Sequence, residues 1–69
     1  LDAGIALVDD LLARGELPEY LAAHAARADL CRRAGRLADA SVSYRRALGL
    51  AQQEPERRFL ARRLEMLEI

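Results

Sequence analysis

Apolar side chains recur along this chain at intervals of three and four, the period of helices packed on one side. From Ala3 to Arg14, Ile5, Val8 and Leu12 form one row and Leu7 and Leu11 a second beside it, the stripe of an amphipathic helix. Gly15 stands where a left-handed stop is expected. Pro18 suits the first turn of the next helix, with Glu19 close to the positive end of its dipole. That second helix is predicted to run to about Ala34, turning Leu21, Ala25, Ala28 and Cys31 inward with Leu30 alongside, and to end at Gly35. A third, from about Leu37 to Ala51, places Leu37, Ala40, Tyr44, Ala47, Leu48 and Ala51 on its buried face. Gly49 weakens its last turn. Gln52, Gln53, Glu54 and Pro55 make a short turn, and Pro55 opens a fourth helix that continues to about Glu68. Loops this short imply antiparallel neighbours, and no stretch alternates in the manner of a strand.

The spacing of Ala28, Gly35, Ala40, Tyr44 and Ala47 resembles one helix-turn-helix unit of a tetratricopeptide repeat, in which small residues let two backbones approach and an aromatic fills the space beside them. At a spacing of 34, Ala6 matches Ala40, Ala13 matches Ala47 and Gly15 matches Gly49; Tyr20-Leu21-Ala22 recurs as Phe59-Leu60-Ala61 at a spacing of 39. The order reads as half unit, whole unit, half unit. His24 and Cys31 depart from the repeat, standing where an aromatic and a Tyr or Leu are common. A plain bundle of helical hairpins shares much of the pattern, and the small-residue seam favours the repeat. The expected fold is therefore all-α, antiparallel helical hairpins of tetratricopeptide-like form, with about four helices in a single domain spanning residues 1–69.

A chain of 69 residues makes one small domain, and domains of this size bury only about 60% of the surface their unfolded chain exposes. The sequence opens at Leu1 inside an already periodic pattern, which reads as a segment of a longer protein. All 11 basic residues are Arg and 11 acidic residues balance them; zero net charge supplies no long-range field to draw in a phosphate backbone. Cys31 has no second cysteine to pair with, and neither a signal peptide nor a membrane-spanning apolar run is present. The expected setting is a reduced cytoplasm without a membrane contact.

The run HAARADLCRRAGRLADASVSYRRALGLAQQEPERRFLARRLEML, from His24 to Leu67, resembles the C-terminal extension of one branch of bacterial extracytoplasmic-function (ECF) RNA polymerase sigma factors. In that branch phrases close to HAARADL, YRRAL and ERRFLARRL follow one another at this spacing, and the opening IALVDDLLARGELPEY fits the part just upstream. Cys31 and Ala34 depart where bulky aliphatics are usual, as does Glu54-Pro55 in place of a helix-friendly turn. The resemblance implies a non-catalytic module that modulates transcription initiation through contacts with the rest of the sigma factor or the polymerase core. DNA contact belongs, in that family, to domains upstream. The reading from another class is a general tetratricopeptide adaptor or self-association module unrelated to transcription, and spare apolar surface would let the segment form a homodimer.

Candidate chemistry is sparse. His24 and Cys31 share a helix face seven residues apart, about 10 Å at helical rise, too far for one metal, and no further ligands complete a set. Ser41 and Ser43 lack a base in register, Asp9 and Asp10 lack a partner set, and solvation at the surface explains them. No catalytic, cofactor-binding or metal residue is assigned. The fourth helix is richer: Leu60, Leu64 and Leu67 face inward, whereas Phe59 and Met66 form a second apolar strip flanked by Arg58, Arg62 and Arg63. An aromatic and a methionine with an arginine rim are an interface composition; packing of Phe59 against Tyr44 or Leu48 is the alternative. Glu54, Glu56, Glu65 and Glu68 offset the charge of this helix and argue against a phosphate stripe. A second candidate surface is the inner face of the second helix, presenting Ala22, Ala26, Asp29, Arg32 and Arg33, with Asp29 spaced to pair with both arginines.

Overall fold

A computed structural model describes residues 1–15 and 21–67 of the chain, and their regular structure is entirely helical. The helices are α1 (Asp2–Ala13), α2 (Leu21–Arg33), α3 (Leu37–Leu50) and α4 (Glu54–Leu67). The expected all-α class holds, and the ends of α2 and α3 fall within one residue of their predicted positions. The expected start of the second helix at Pro18, with Glu19 behind it, lies outside the described residues, as does Glu68.

Glycine sets two of the helix ends. Gly15 and Gly35 take φ of 77° and 80°, a region that a Cβ makes costly. At the end of α2 the Arg36 N–H donates to the Cys31 carbonyl at 2.8 Å and the Gly35 N–H to that of Arg32 at 3.1 Å, the paired bonds of a Schellman stop. The chain then turns within three residues into α3. The far end of α3 has no glycine stop; there Arg57, from the first turn of α4, donates from Nη1 to the carbonyls of Leu48 at 3.0 Å and Ala51 at 2.9 Å. A guanidinium at a helix C-terminus satisfies orphan carbonyls and offsets the negative end of the dipole.

The helices pack in chain order. α2 and α3 are the closest pair, α4 lies on α3 and α1 on α2, and among the described residues no two helices apart in sequence come into backbone contact. A closed four-helix bundle would set α1 against α4; here the row stays open, as in stacked repeats, and the Cα trace measures 29 × 26 × 13 Å. Ala28, Ala40 and Ala47 are wholly buried with Tyr44 in the α2–α3 core, joined by Cys31 and Ala51. Alanines at a crossing let helix axes approach closely. Each outer helix adds one fully buried aliphatic, Ile5 from α1 and Leu60 from α4, each contributing roughly 1.5–3 kcal/mol.

Several expectations need correction. Leu7, placed in the apolar stripe of the first helix, is 61% exposed, on a side of α1 that no described helix covers. Leu37, placed on the buried face of the third helix, is 48% exposed: it is the first residue of α3, and side chains tilt toward a helix's N-terminus, which carries it past the end of α2. The 34-residue equivalences do not describe equal environments either. Ala40 and Ala47 are buried whereas Ala6 and Ala13 are exposed, and Gly15 ends α1 whereas Gly49 lies within α3. α3 is flanked on two sides and α1 on one, so the same small residue is core in one helix and surface in the other.

The two kinds of glycine respond oppositely to alanine. A Cβ at Gly49 meets nothing within 4 Å, and Gly49→Ala is expected to stabilise by about 1 kcal/mol, raising the thermal midpoint by roughly 4–8 °C for a domain of this size. Gly35→Ala, which must hold positive φ, is expected to lower it by a comparable amount. Circular dichroism melts check both signs.

Candidate functional site

The outward side of α4 matches its predicted pattern. Leu60 is buried, Leu64 and Leu67 pack half-buried against the core, and Phe59 and Met66 face solvent at 55% and 60% exposure. The alternative of Phe59 packing on Tyr44 or Leu48 is thereby set aside. Phe59 and Met66 are two turns apart on one face, with Arg62 and Arg63 between them. The Arg63 guanidinium lies over the Phe59 ring, 5.2 Å from its centroid, a cation–π contact that holds the ring and one rim charge in fixed relation. Arg58 reaches Glu54 at 3.6 Å, with both side chains mostly exposed, a pair of little energetic weight. Arg57 leaves this surface altogether, being committed to the end of α3.

On α2, Asp29 grips both arginines, Arg32 at 2.7 Å and Arg33 at 3.6 Å. The hydrogen bond from Arg32 is the main cause that holds the Asp29 carboxyl below its ordinary range; desolvation opposes it, and the charges of Arg32 and Arg33 add to the lowering. Arg32 is in turn held charged, first by Asp29 and then by the Tyr44 hydroxyl, and its Nε is buried with no hydrogen-bond partner. Ala22, Ala26 and Arg33 are exposed, while Asp29 and Arg32 are half-buried. Of the three charged groups on this face, Arg32 is tied into the fold and Arg33 remains outermost.

The structure also assembles a polar cluster that the sequence reading did not single out. Arg27, on α2, donates from Nε to Asp9 of α1 and from Nη1 to the Ser43 hydroxyl of α3 at 2.7 Å and the Asp39 carbonyl at 3.3 Å. Its pKa is raised chiefly by the bond to Asp9, against a desolvation that works the other way. Ser43 is buried and Asp9 half-buried, so their reading as solvated surface residues is corrected: both serve a guanidinium that crosses three helices. Beside this cluster lies a cleft of ≈ 400 Å³ between the end of α1 and the outer side of α3, with Leu12, Ala13 and Val42 as apolar walls and His24, Arg27, Ser43 and Arg46 among its polar lining. The signal was available in part. Arg27 stands three residues after His24 and four before Cys31, on the inward arc of α2, where a charged residue asks for a partner; its partners lie 16 and 18 positions away.

His24 and Cys31 are both buried in the α2 face. Burial pushes the Cys31 thiol up, against the lowering effects of Arg27 and Arg36. Among the described residues no group of three or more His, Cys, Asp or Glu is placed to hold a metal ion, and no helix is long and apolar enough to cross a membrane. Comparison with family models, with curated proteins and with solved structures gives no match for this chain.

Two measurements check this geometry. Arg27→Met, which keeps the aliphatic stem and strands Asp9 and Ser43, is expected to destabilise by about 2 kcal/mol, the scale of a lost hydrogen bond to a charged group; an unchanged urea midpoint would contradict the cluster's role. Cys31 should resist iodoacetamide at pH 8 in the native protein and react once urea unfolds it. Because the native thiol keeps its proton to a higher pH than the unfolded one, its contribution to stability is complete below the unfolded pKa of about 8.5 and is lost as pH rises through the native value.

Proposed function

We propose that this chain is a non-catalytic protein-interaction module that modulates transcription initiation in the bacterial cytoplasm, as the tetratricopeptide-like C-terminal extension of an ECF sigma factor. The transcriptional part of this reading rests on the phrases HAARADL, YRRAL and ERRFLARRL in their order and spacing. The interaction part is carried by one observation, the exposed Phe59 and Met66 strip of α4 with Arg62 and Arg63 along it. Aromatic, methionine and arginine side chains are enriched at protein interfaces and at their energetic centres, and among the described residues α3 is the one helix in backbone contact with α4. The partner is the remainder of the sigma factor or the polymerase core, with promoter contact made by upstream domains.

Self-association through the same strip is less favourable. An antiparallel pairing that sets Phe59 against Met66 of a second copy also sets Arg62 against Arg63, and like charges brought together at a helix face repel. A partner presenting acidic groups avoids that cost.

The test is the double variant Phe59→Ala, Arg62→Glu in the parent protein, with transcripts that depend on the parent gene counted by sequencing cellular RNA at matched protein level. A fall of roughly tenfold or more is expected, since one interface centre typically carries over 1 kcal/mol and here two are removed. Unchanged transcript levels would overturn the docking role. If the parent gene proves to control no transcripts while the variant still loses a binding partner, the general adaptor is the correct reading.

A further inference from the structure

We propose that the cleft between α1 and α3 binds a carboxylate with an aliphatic neighbour, the chemistry of a peptide C-terminus or of an acidic side chain in an apolar segment. This site goes beyond the docking role of α4, and no residue of α4 is among those lining the cleft.

The charge around the cleft decides the sign of the ligand. Among the described residues Asp39 lines the cleft and Asp9 adjoins it through Arg27, and both are already engaged: Asp9 by Arg27, and Asp39 by Arg36, whose Nε and Nη2 each stand 3.0 Å from Oδ2. Arg46 lines the same cleft, and among the described residues no carboxylate lies within ion-pair distance of it. Among the described residues the local balance is therefore one uncompensated guanidinium, whose planar fork matches a carboxylate in two parallel hydrogen bonds. Ser43 adds directionality. Its oxygen accepts from Arg27, and a hydroxyl that accepts keeps one proton to donate.

The walls decide what accompanies the charge. Leu12 and Ala13 of α1 face Val42 of α3, and Val42 is 48% exposed, apolar area that gains by being covered. A space of ≈ 400 Å³ lies at the lower end of ligand pockets, about 300–1,000 Å³, and suits one leucine-sized residue with its carboxylate. The floor is preorganised, because Arg27 is fixed from three sides and does not have to be ordered when a ligand arrives.

Titration of the ¹⁵N-labelled 69-residue chain with three small probes tests the assignment by NMR. N-acetyl-leucine carries the carboxylate of a chain end, N-acetyl-glutamic acid amide carries it on a side chain, and N-acetyl-leucinamide carries none. Saturable shifts of the Leu12, Val42, Ser43 and Arg46 amides are expected with an acid and not with leucinamide, and the tighter acid identifies the source. Arg46→Gln, at an exposed position, should weaken binding roughly tenfold, the worth of one charge-assisted hydrogen bond. Val42→Asp, which sets an anion in the wall, should abolish binding with the rest of the spectrum unchanged. Equal shifts from leucinamide, indifference to Arg46→Gln, or the absence of saturable shifts around the cleft would overturn the proposal, whatever the outcome of the α4 experiment.

Discussion

The close approach of α2 and α3 is the constraint on which the rest of this molecule depends. Ala28, Ala40 and Ala47 are buried without remainder and Tyr44 almost so, which means that the centre of the core is built from side chains with hardly any rotamer freedom to lose. Such a crossing is inexpensive in entropy and intolerant in volume, since close-packed interiors accept extra methylenes only through strain. The Gly35 stop makes the crossing possible by reversing the chain in three residues.

Around this pair, each outer helix is attached in the same way, by one wholly buried aliphatic side chain and one arginine reaching across the contact. For α1 these are Ile5 and the Arg27 bond to Asp9; for α4 they are Leu60 and the Arg57 bonds to the α3 carbonyls. Arginine suits the task because its stem packs on apolar surface while its head still finds acceptors several ångströms away. Among the described residues each outer helix has one helical neighbour, and its open side separates the row from a closed bundle and forms the two candidate surfaces.

The sequence spoke clearly where a rule depends on neighbours in the chain. Gly15 and Gly35 as stops, the inward row Leu60, Leu64 and Leu67, and the pairing of Asp29 with Arg32 and Arg33 all follow from spacings of a few residues, and all are present. The candidate strip of Phe59 and Met66 was legible for the same reason. What periodicity cannot report is how many sides of a helix are covered. Ala6 and Ala40 carry the same side chain at matching positions and differ in burial because α1 has one neighbour and α3 has two. Leu37 reads as core by type and becomes surface by standing at a helix end. The partners of Arg27 were illegible for a third reason: they come from two other helices, and Ser43 and Asp9 acquire their roles only when α1 and α3 both come within reach of Arg27.

A core of this composition also explains why function should lie at the periphery. Alanines offer a ligand little to hold, and a net charge of zero gives no field to steer a distant partner. Recognition must come from local imbalance. Four of the eleven arginines are spent internally: Arg27 on Asp9 and Ser43, Arg32 on Asp29, Arg36 on Asp39, Arg57 on backbone carbonyls. Arg46 in the cleft, and Arg62 and Arg63 on the α4 strip, are engaged by no carboxylate among the described residues, and each adjoins exposed apolar surface, Val42 in the one case and Phe59 with Met66 in the other. A positive charge left unpaired beside an uncovered apolar side chain selects partners by short-range fit, so one neutral, alanine-rich frame can carry two recognition surfaces that differ in shape and share a preference for acidic groups.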